Sequence, residues 1–215
     1  MTPEFWHDRW RVGQTGFHRD AVHPDLIKHA AVLGVPDGPR VLVPLCGKTL
    51  DLSWLVSQGC EVVGVELSEQ AATQYHERVG ITPEITPAGA HTIWRSPGLT
   101  YIVGDFFSAD LGMFDAIWDR AALVALPAEL RVRYAERLRA VLRPGGRMLL
   151  NCFTFDADRS GPPHSISDDE VRRHYDHAGQ LRRVSTADIL DESPRWREAG
   201  ATFMDEKVWL LNRIS

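Results

Sequence analysis

RVLVPLCGKTLDLSWLVSQGCEVVGVE, residues 40–66, has the pattern of two buried strands joined by a turn and a helix. The VLV run near its start is short and apolar, which is typical of a strand buried on both faces. Residues 45–48 form the turn, Thr49 can cap the helix, and Gly59 provides a left-handed helix end. A second apolar strand ends on Glu66. The stretch therefore predicts two parallel strands of an open α/β sheet.

The carboxylate at the end of the second strand indicates a nucleoside-binding site. Glu66 lies about 20 residues beyond the turn, where nucleotide-binding folds hold ribose hydroxyls. The turn contains Gly47 alone and lacks G-x-G-x-x-G, and Leu42 stands where a P-loop needs its first glycine. A cofactor with an adenosine and no phosphate explains both features, and S-adenosylmethionine is the candidate. The alternative is that Glu66 is an ordinary surface residue at a strand end.

The composition is ordinary for one globular domain, which we expect to span residues 1–215. With a net charge of -5 and no basic cluster, no nucleic-acid partner is expected. No apolar run approaches the roughly 18 residues of a membrane span, so no membrane partner is expected. Cys46, Cys60 and Cys152 form no C-x-x-C motif, which indicates neither a disulfide framework nor a metal site. We expect a monomer in a reducing cytoplasm.

Residues 1–39 precede the core, which we expect to span residues 40–215. Phe5, Trp6 and Trp10 form an apolar face on a short predicted helix, and glycines follow it. Aromatic residues at helical spacing usually pack in a core, and that is the simpler interpretation. The alternative, which we adopt, is an N-terminal helical lid over the carboxyl ends of the strands, where open α/β sheets bind their ligands.

The rest of the chain alternates predicted strands and helices and ends in a β-rich pair. This pattern favours a parallel sheet with one antiparallel edge hairpin. Two stretches, 83–89 and 191–200, are predicted to be irregular. The other predicted elements are helix 68–79, paired strands 91–95 and 99–104, strand 114–118, helix 127–141, turn 143–146, strand 147–154, helix 167–178, and strands 181–189 and 202–211.

Six sequence strings, spread over nearly the whole chain, resemble the thiopurine S-methyltransferase family and particularly its bacterial branch. They are FWHDRW, QTGFH, VPLCGKTLDLSWL, GVELSE, FDAIWDRAALVAL and GPPH. The resemblance implies a Rossmann-like α/β methyltransferase fold with helices on both faces of a mostly parallel seven-stranded sheet. Its strand order is 3-2-1-4-5-7-6, with strand 7 antiparallel. The implied activity is transfer of a methyl group from S-adenosylmethionine to the sulfur of aromatic or heterocyclic thiols such as thiopurines.

The resemblance also implies site residues. Phe17 and His18 match the substrate side, Asp105 and Phe106 lie near the adenine, and Arg120 is placed to pair with the methionine carboxylate or an acidic substrate. The complete set of implied cofactor contacts is Trp10, Leu45, Glu66, Asp105, Phe106 and Arg120.

A general base is needed only if the thiol arrives protonated, and Asp119 and His18 are the candidates. A solvated Asp119–Arg120 pair and a hydrogen-bonding loop His18 are the alternatives. In the tail, animal enzymes carry an arginine a few residues before the tryptophan that matches Trp196. Here Asp191-Glu192 occupies that place, which leaves Arg195 or Arg197 as replacements.

Three alternatives remain open on the sequence. The leading hypothesis is an enzyme that methylates small-molecule thiols. In the first alternative, its natural acceptor is a selenium or tellurium oxyanion. The second is a nicotinamide-dependent oxidoreductase on the same sheet, which the single-glycine turn disfavours. The third is a nonenzymatic protein that binds S-adenosylmethionine.

Overall fold

The computed structural model describes residues 2–157, 161–192 and 194–214. The chain divides into two compact units, Met1–Trp118 and Asp119–Ser215. The predicted N-terminal segment, residues 1–39, belongs to the first of these units. A single domain over residues 1–215 stays a prediction. No helix among the described residues is long and apolar enough to pass through a lipid bilayer.

The first unit is a sheet whose described strands follow the order β3-β4-β5-β2-β1-β6. Strands β5, β2, β1 and β6 are parallel neighbours, whereas β3 and β4 form an antiparallel hairpin that continues onto β5. The elements are α1 Pro3–Arg11, α2 Pro24–His29, β1 Arg40–Pro44, α3 Asp51–Ser57, β2 Glu61–Glu66, α4 Glu69–Val79, β3 Glu84–Ala88, β4 His91–Ser96, β5 Leu99–Val103 and β6 Phe114–Arg120, the last of which continues into the second unit.

The second unit has three strands in the order β7-β9-β8 among its described residues, and β9 is antiparallel to both neighbours. Its first helix is amphipathic and leads directly into β7. The elements are α5 Ala128–Val141, β7 Leu142–Phe155, α6 Asp168–Tyr175, β8 Gly179–Asp188, α7 Pro194–Glu198 and β9 Met204–Arg213.

The strand order implied by the resemblance is present within each unit. Without the β3–β4 pair, the first unit reads 3-2-1-4 and the second reads 5-7-6, with the last strand in sequence antiparallel. The implied count of seven strands is wrong, because the described chain forms nine. The two additional strands extend the sheet beyond β5.

The first of these strands lies where the sequence predicted an irregular connection. Strand β3 pairs with β4 from Glu84, opposite Arg95, to Ala88, opposite His91. Pro87 is tolerated there because β3 is the edge strand among the described strands, and proline within sheets occurs on edge strands. The prediction of an irregular connection at 83–89 is therefore wrong, because Pro87 marks an edge strand rather than a loop.

Other predicted bounds also change. Helix α3 begins at Asp51 and ends at Ser57, and its N-cap is Leu50 rather than the predicted Thr49. Thr49 Oγ1 accepts a hydrogen bond of 3.3 Å from Asp51 N just outside the cap. Strand β7 begins at Leu142, so the predicted turn lies within it, although Gly145 keeps the positive φ of +76° that a turn would need. Helix α6 ends at Tyr175 and a 3-10 turn follows it.

The predicted loop at 191–200 contains helix α7. This helix has five residues and buries Trp196, which is 1% exposed. The Trp196 ring lies 4.5 Å from the Phe155 ring, within a cluster that also contains Leu190 and Met204. One helical turn is too short to show an amphipathic period, so burial of the tryptophan decides the local structure.

Candidate functional site

The carboxyl ends of three parallel strands meet at one edge of the first unit. Pro44, the last residue of β1, pairs with Val65 of β2, and Glu66 pairs with Val103 at the end of β5. Open α/β sheets bind ligands at this edge. The sequence-predicted residues Leu45, Glu66 and Asp105 follow or end these three strands, so the fold brings them to the same edge.

Gly47 in the turn after β1 is held from three sides. Its N–H donates to Glu66 Oε2 at 2.9 Å, and its carbonyl accepts from the Tyr101 hydroxyl at 2.8 Å. A Cβ added at Gly47 would lie 2.2 Å from His18 Cε1, so the imidazole packs against bare backbone. The residue also has φ +51°, a conformation that glycine adopts without strain. A glycine is therefore needed for both space and backbone conformation.

Leu45 begins the same turn in a conformation that is rare for a residue with a side chain. Its φ is +48°, and the next residue, Cys46, donates its N–H to Val65 O at 2.9 Å. Such a backbone costs roughly 1–3 kcal/mol and persists only where surrounding contacts hold it, often at ligand sites. The turn that the sequence predicted to contact the cofactor is thus the strained one.

Glu66 is 8% exposed, and both of its carboxylate oxygens bind backbone. Oε2 accepts from Gly47 N at 2.9 Å, and Oε1 accepts from Ser68 N at 3.0 Å. Burial raises the pKa of Glu66 above its usual value, and the backbone N–H donors of Ser68 and Gly47 oppose that shift. A carboxylate offers about four acceptor positions in all, and the backbone N–H of Leu67 is a third nearby donor. Glu66 therefore fits ribose hydroxyls while it fixes the turn.

The residues after β5 form a second ordered turn at this edge. Gly104 N donates to Glu66 O at 2.9 Å, and Asp105 Oδ1 accepts from Phe107 N at 3.0 Å. His91 Nε2 lies 3.0 Å from Asp105 O, and its ring fills the space that a Cβ of Gly104 would need. The turn is therefore fixed by the main chain and by the β4 histidine.

The two residues predicted near the adenine differ in exposure. Phe106 is 4% exposed, and its ring meets the Phe107 ring edge to face at 5.8 Å. The Asp105 side chain is exposed. A buried ring beside an exposed carboxylate fits a flat heterocycle that carries an amine.

The N-terminal aromatic residues pack against the Gly47 turn. Trp10 is 2% exposed; its ring lies 5.0 Å from His18 and 6.0 Å from Phe17. The Lys48 ammonium lies 5.7 Å above the Trp10 ring, close enough for a cation–π contact. Phe17 is 41% exposed. The structure thus brings Trp10, Phe17 and His18 together with the turn after β1.

The second unit contains the two remaining predicted residues, Asp119 and Arg120, at the end of β6. Asp119 is fully buried, whereas Arg120 is half-buried. Ala121, the next residue, has φ +55°. A strained non-glycine residue therefore follows directly after Arg120.

The tail residues that the sequence considered lie on or beside α7. The Arg197 guanidinium donates to the Asp191 carboxylate, so the acidic residue that stands in place of the family arginine is itself paired. Trp196 is buried and lies on α7 with Arg195 and Arg197.

Sequence reasoning missed two side chains that hold this edge. Tyr101, whose hydroxyl binds Gly47 O, lies on β5 with Leu99 and Val103, and strand alternation placed all three on one face. That alternation was a usable signal. His91 also had a usable signal, because the predicted pairing of strands 91–95 and 99–104 brings it beside the end of β5, where Thr92 pairs with Val103.

We expect the substitution Gly47→Ala to weaken cofactor binding at least tenfold and to cost roughly 1–3 kcal/mol of stability, because it adds strain at positive φ and displaces His18. Gly59→Ala is the matched control. Its φ is +87°, and nothing lies within 4 Å of an added Cβ, so it adds strain without a collision. Denaturant unfolding and titration calorimetry measure the two effects. Equal cofactor affinities in the two variants would contradict the predicted role of the Gly47–His18 contact.

Comparison with known proteins places this geometry in a family. Residues 1–214 match the family model described as thiopurine S-methyltransferase. The chain is 42% identical over 217 residues to the thiopurine S-methyltransferase of Pseudomonas aeruginosa strain UCBPP-PA14, covering 99% of this chain and 100% of that protein. It is 45% identical over 219 residues to that of Xanthomonas campestris pv. campestris strain 8004, with 99% and 100% covered.

A solved structure shows the same fold at low sequence identity. It is the Burkholderia thailandensis 1,6-didemethyltoxoflavin-N1-methyltransferase with bound 1,6-didemethyltoxoflavin and S-adenosylhomocysteine. The TM-score is 0.65 at 17% identity, and the match covers 99% of this chain and 87% of that chain. The Rossmann-like methyltransferase fold that the resemblance implied is therefore confirmed.

Proposed function

The chain belongs to the thiopurine S-methyltransferase family and is an S-adenosylmethionine-dependent methyltransferase, and on that premise we propose that it methylates the sulfur of small aromatic or heterocyclic thiols such as thiopurines. The single observation that carries the proposal is the Gly47 turn, which Glu66 braces from one side and His18 covers from another. This turn lies at the carboxyl edge of the parallel strands and has aromatic residues packed against it.

We propose that Glu66 accepts the ribose hydroxyls, that Asp105 accepts from the adenine amine and that Phe106 covers the adenine face. The Glu66 carboxylate at the end of β2, the exposed Asp105 carboxylate and the buried Phe106 ring support these roles. We also propose cofactor contacts by Leu45, in the strained turn, and by Trp10, in the segment that packs on that turn. Arg120 pairs its guanidinium with the methionine carboxylate or with an acidic acceptor.

For the acceptor side we propose Phe17 and His18. Phe17 exposes 41% of its surface while its ring edge meets Trp6 and Trp10, so it offers an aromatic contact to a flat ligand. Such a surface favours an aromatic thiol over a small inorganic oxyanion, because an oxyanion gains little from apolar contact. We propose His18, whose ring packs between Phe17 and the Gly47 turn, as the group that accepts a thiol proton.

Methyl transfer to sulfur requires alignment and exclusion of water more than acid–base groups. S-adenosylmethionine supplies the methyl group, which moves from a sulfonium to the attacking sulfur in line. The protein's part is to hold both reactants and keep the site dry, which the packed aromatic segment over the Gly47 turn supports. No described side chain needs to form a covalent bond for this reaction.

We further propose that the protein works as a monomer in a reducing cytoplasm. Cys46, Cys60 and Cys152 are buried free thiols, and burial raises the pKa of each of them. A thiol that stays protonated and buried is a poor nucleophile, so we expect none of the three to react with the methyl donor or the acceptor. Size-exclusion chromatography with light scattering measures the oligomeric state.

The test of the activity is a product assay with labelled S-adenosylmethionine. Mercaptopurine, thiophenol and selenite are supplied as separate acceptors, and the products are identified by mass. We expect S-methylated thiols, with thiophenol and mercaptopurine ahead of selenite. Product from selenite alone would replace the thiol proposal with an oxyanion acceptor, and cofactor binding without any product would favour a nonenzymatic role.

Arg120 is tested separately. We expect Arg120→Ala to lower kcat/KM at least about tenfold, which is the effect of one charged hydrogen bond. Arg120→Lys should lower kcat/KM less, because lysine keeps the positive charge although it loses the bidentate guanidinium. Arg182→Ala on β8, which removes an exposed arginine from the same unit, is the control and should keep wild-type kinetics. Wild-type kcat/KM in Arg120→Ala would exclude the proposed pairing.

A further inference from the structure

The last two residues of β6 point to opposite faces of the strand, because side chains alternate along it. Asp119 is fully buried and Arg120 is half-buried. The proposed contact of Arg120 with a ligand therefore depends on how the neighbouring buried residue holds the end of the strand.

Both oxygens of the Asp119 carboxylate are hydrogen-bonded inside the second unit. Oδ2 accepts from the Tyr134 hydroxyl of α5 at 2.8 Å, and Oδ1 accepts from Ala122 N at 3.0 Å. Burial raises the pKa of Asp119 to about 7, and these donors oppose the shift because they stabilise the ionised form. The Asp119 side chain is 0% exposed and both oxygens are bonded within the protein, so the geometry suits this carboxylate to hold a turn rather than to meet a thiol.

The turn that Asp119 closes is strained. Ala121 has φ +55°, which is unfavourable for a residue with a Cβ, and its N–H donates to Asn151 O on β7 at 3.0 Å. Two hydrogen bonds hold Ala121: the one between Ala122 N and Asp119 Oδ1 closes the turn around it, and the one to Asn151 O fixes its own N–H. The direction of β6 at Arg120 thus depends on a turn that needs outside contacts to persist.

We propose that Tyr134 is a positioning residue for Arg120. The Tyr134 hydroxyl orients the Asp119 carboxylate, the carboxylate holds the strained turn at Ala121, and the turn sets the direction of the Arg120 guanidinium. The inference gives Asp119 a supporting role in place of proton transfer. It rests on the proposed pairing of Arg120 with a ligand.

Tyr134→Phe removes the hydroxyl and keeps the ring. We expect kcat/KM to fall about fivefold to tenfold, the effect of one lost hydrogen bond. The matched control is Tyr175→Phe. Tyr175 is also a fully buried tyrosine of this unit, and its hydroxyl has no hydrogen-bond partner in the part of the chain that the structure describes. The control should keep wild-type kcat/KM.

A double-mutant cycle separates positioning from a general loss of structure. If Tyr134 acts through Arg120, then Tyr134→Phe introduced into the Arg120→Ala protein should lower kcat/KM by less than about twofold. Circular dichroism and thermal unfolding of the four proteins check that each is folded.

The outcomes are distinct for the two proposals. Wild-type kcat/KM in Tyr134→Phe, with Arg120→Ala impaired, overturns the positioning role and leaves the proposed function standing. The same fold-loss from Tyr134→Phe with and without Arg120 also overturns it, since the tyrosine would then act independently of the arginine. Wild-type kinetics in Arg120→Ala overturns both proposals for this end of β6.

Discussion

Deletion of residues 1–20 is expected to abolish methyl transfer and to leave a folded protein that binds the cofactor weakly. The deletion removes Trp10, Phe17 and His18, which pack against the Gly47 turn and which we propose to exclude water from the reaction. It keeps the N–H of His23, which donates to the buried Asp51 carboxylate at 2.8 Å. That carboxylate also accepts from Trp118 Nε1, so the contacts of α3 with β6 survive.

The measurements are product formation, cofactor titration and thermal unfolding of the truncated protein. Trp10→Ala in the full chain is the second variant, because it opens the packed segment without removing the Asp20–Arg78 ion pair. It should lose most activity and keep its fold.

Hydrogen exchange tests whether the segment is a lid. We expect residues 1–20 to gain protection when cofactor and methylated product are both bound. Equal protection with and without ligands, or unfolding of the truncated protein, would make the segment a fixed part of the core.

Glu66 substitutions are expected to have the second largest effect. Glu66→Ala should weaken cofactor binding by about 2–3 kcal/mol, roughly 30- to 150-fold. It should also lower the free energy of unfolding by about 1–3 kcal/mol, because Gly47 N and Ser68 N lose a buried acceptor.

Glu66→Gln should fail to restore binding, although it has nearly the same shape. The amide nitrogen cannot accept a hydrogen bond, so one of the two backbone N–H groups would face another donor. Glu61→Gln, at the exposed start of the same strand, is the control and should leave cofactor affinity unchanged. Calorimetry that finds wild-type affinity in Glu66→Ala would exclude the ribose role.

The sequence alone predicted both central strands, with the VLV run inside β1 and the end of β2 at Glu66. β1 and β2 are continuous apolar runs, and a buried parallel strand has this local signature whatever surrounds it. Because β2 ends on Glu66, the position of the carboxylate at the carboxyl edge followed from the same pattern. The single glycine of the turn was likewise sufficient to favour an adenosine without a phosphate.

The sequence did not predict elements whose structure depends on distant partners. β3 forms because an edge of the sheet accepts Pro87, and α7 forms because Trp196 packs against Phe155. Neither is long enough to show a period of its own, so propensity and punctuation pointed to loops at both places.

The contacts that hold the candidate site were decided only by the tertiary structure. Tyr101 reaches Gly47 across 54 residues of sequence, and the His18 ring packs where Gly47 has no Cβ. Residue types and spacing determined which side chains stand near the strand ends, because those follow from local periodicity. Which oxygen accepts from which N–H, and which ring fills which gap, depends on how separate elements pack, and no local pattern carries that information.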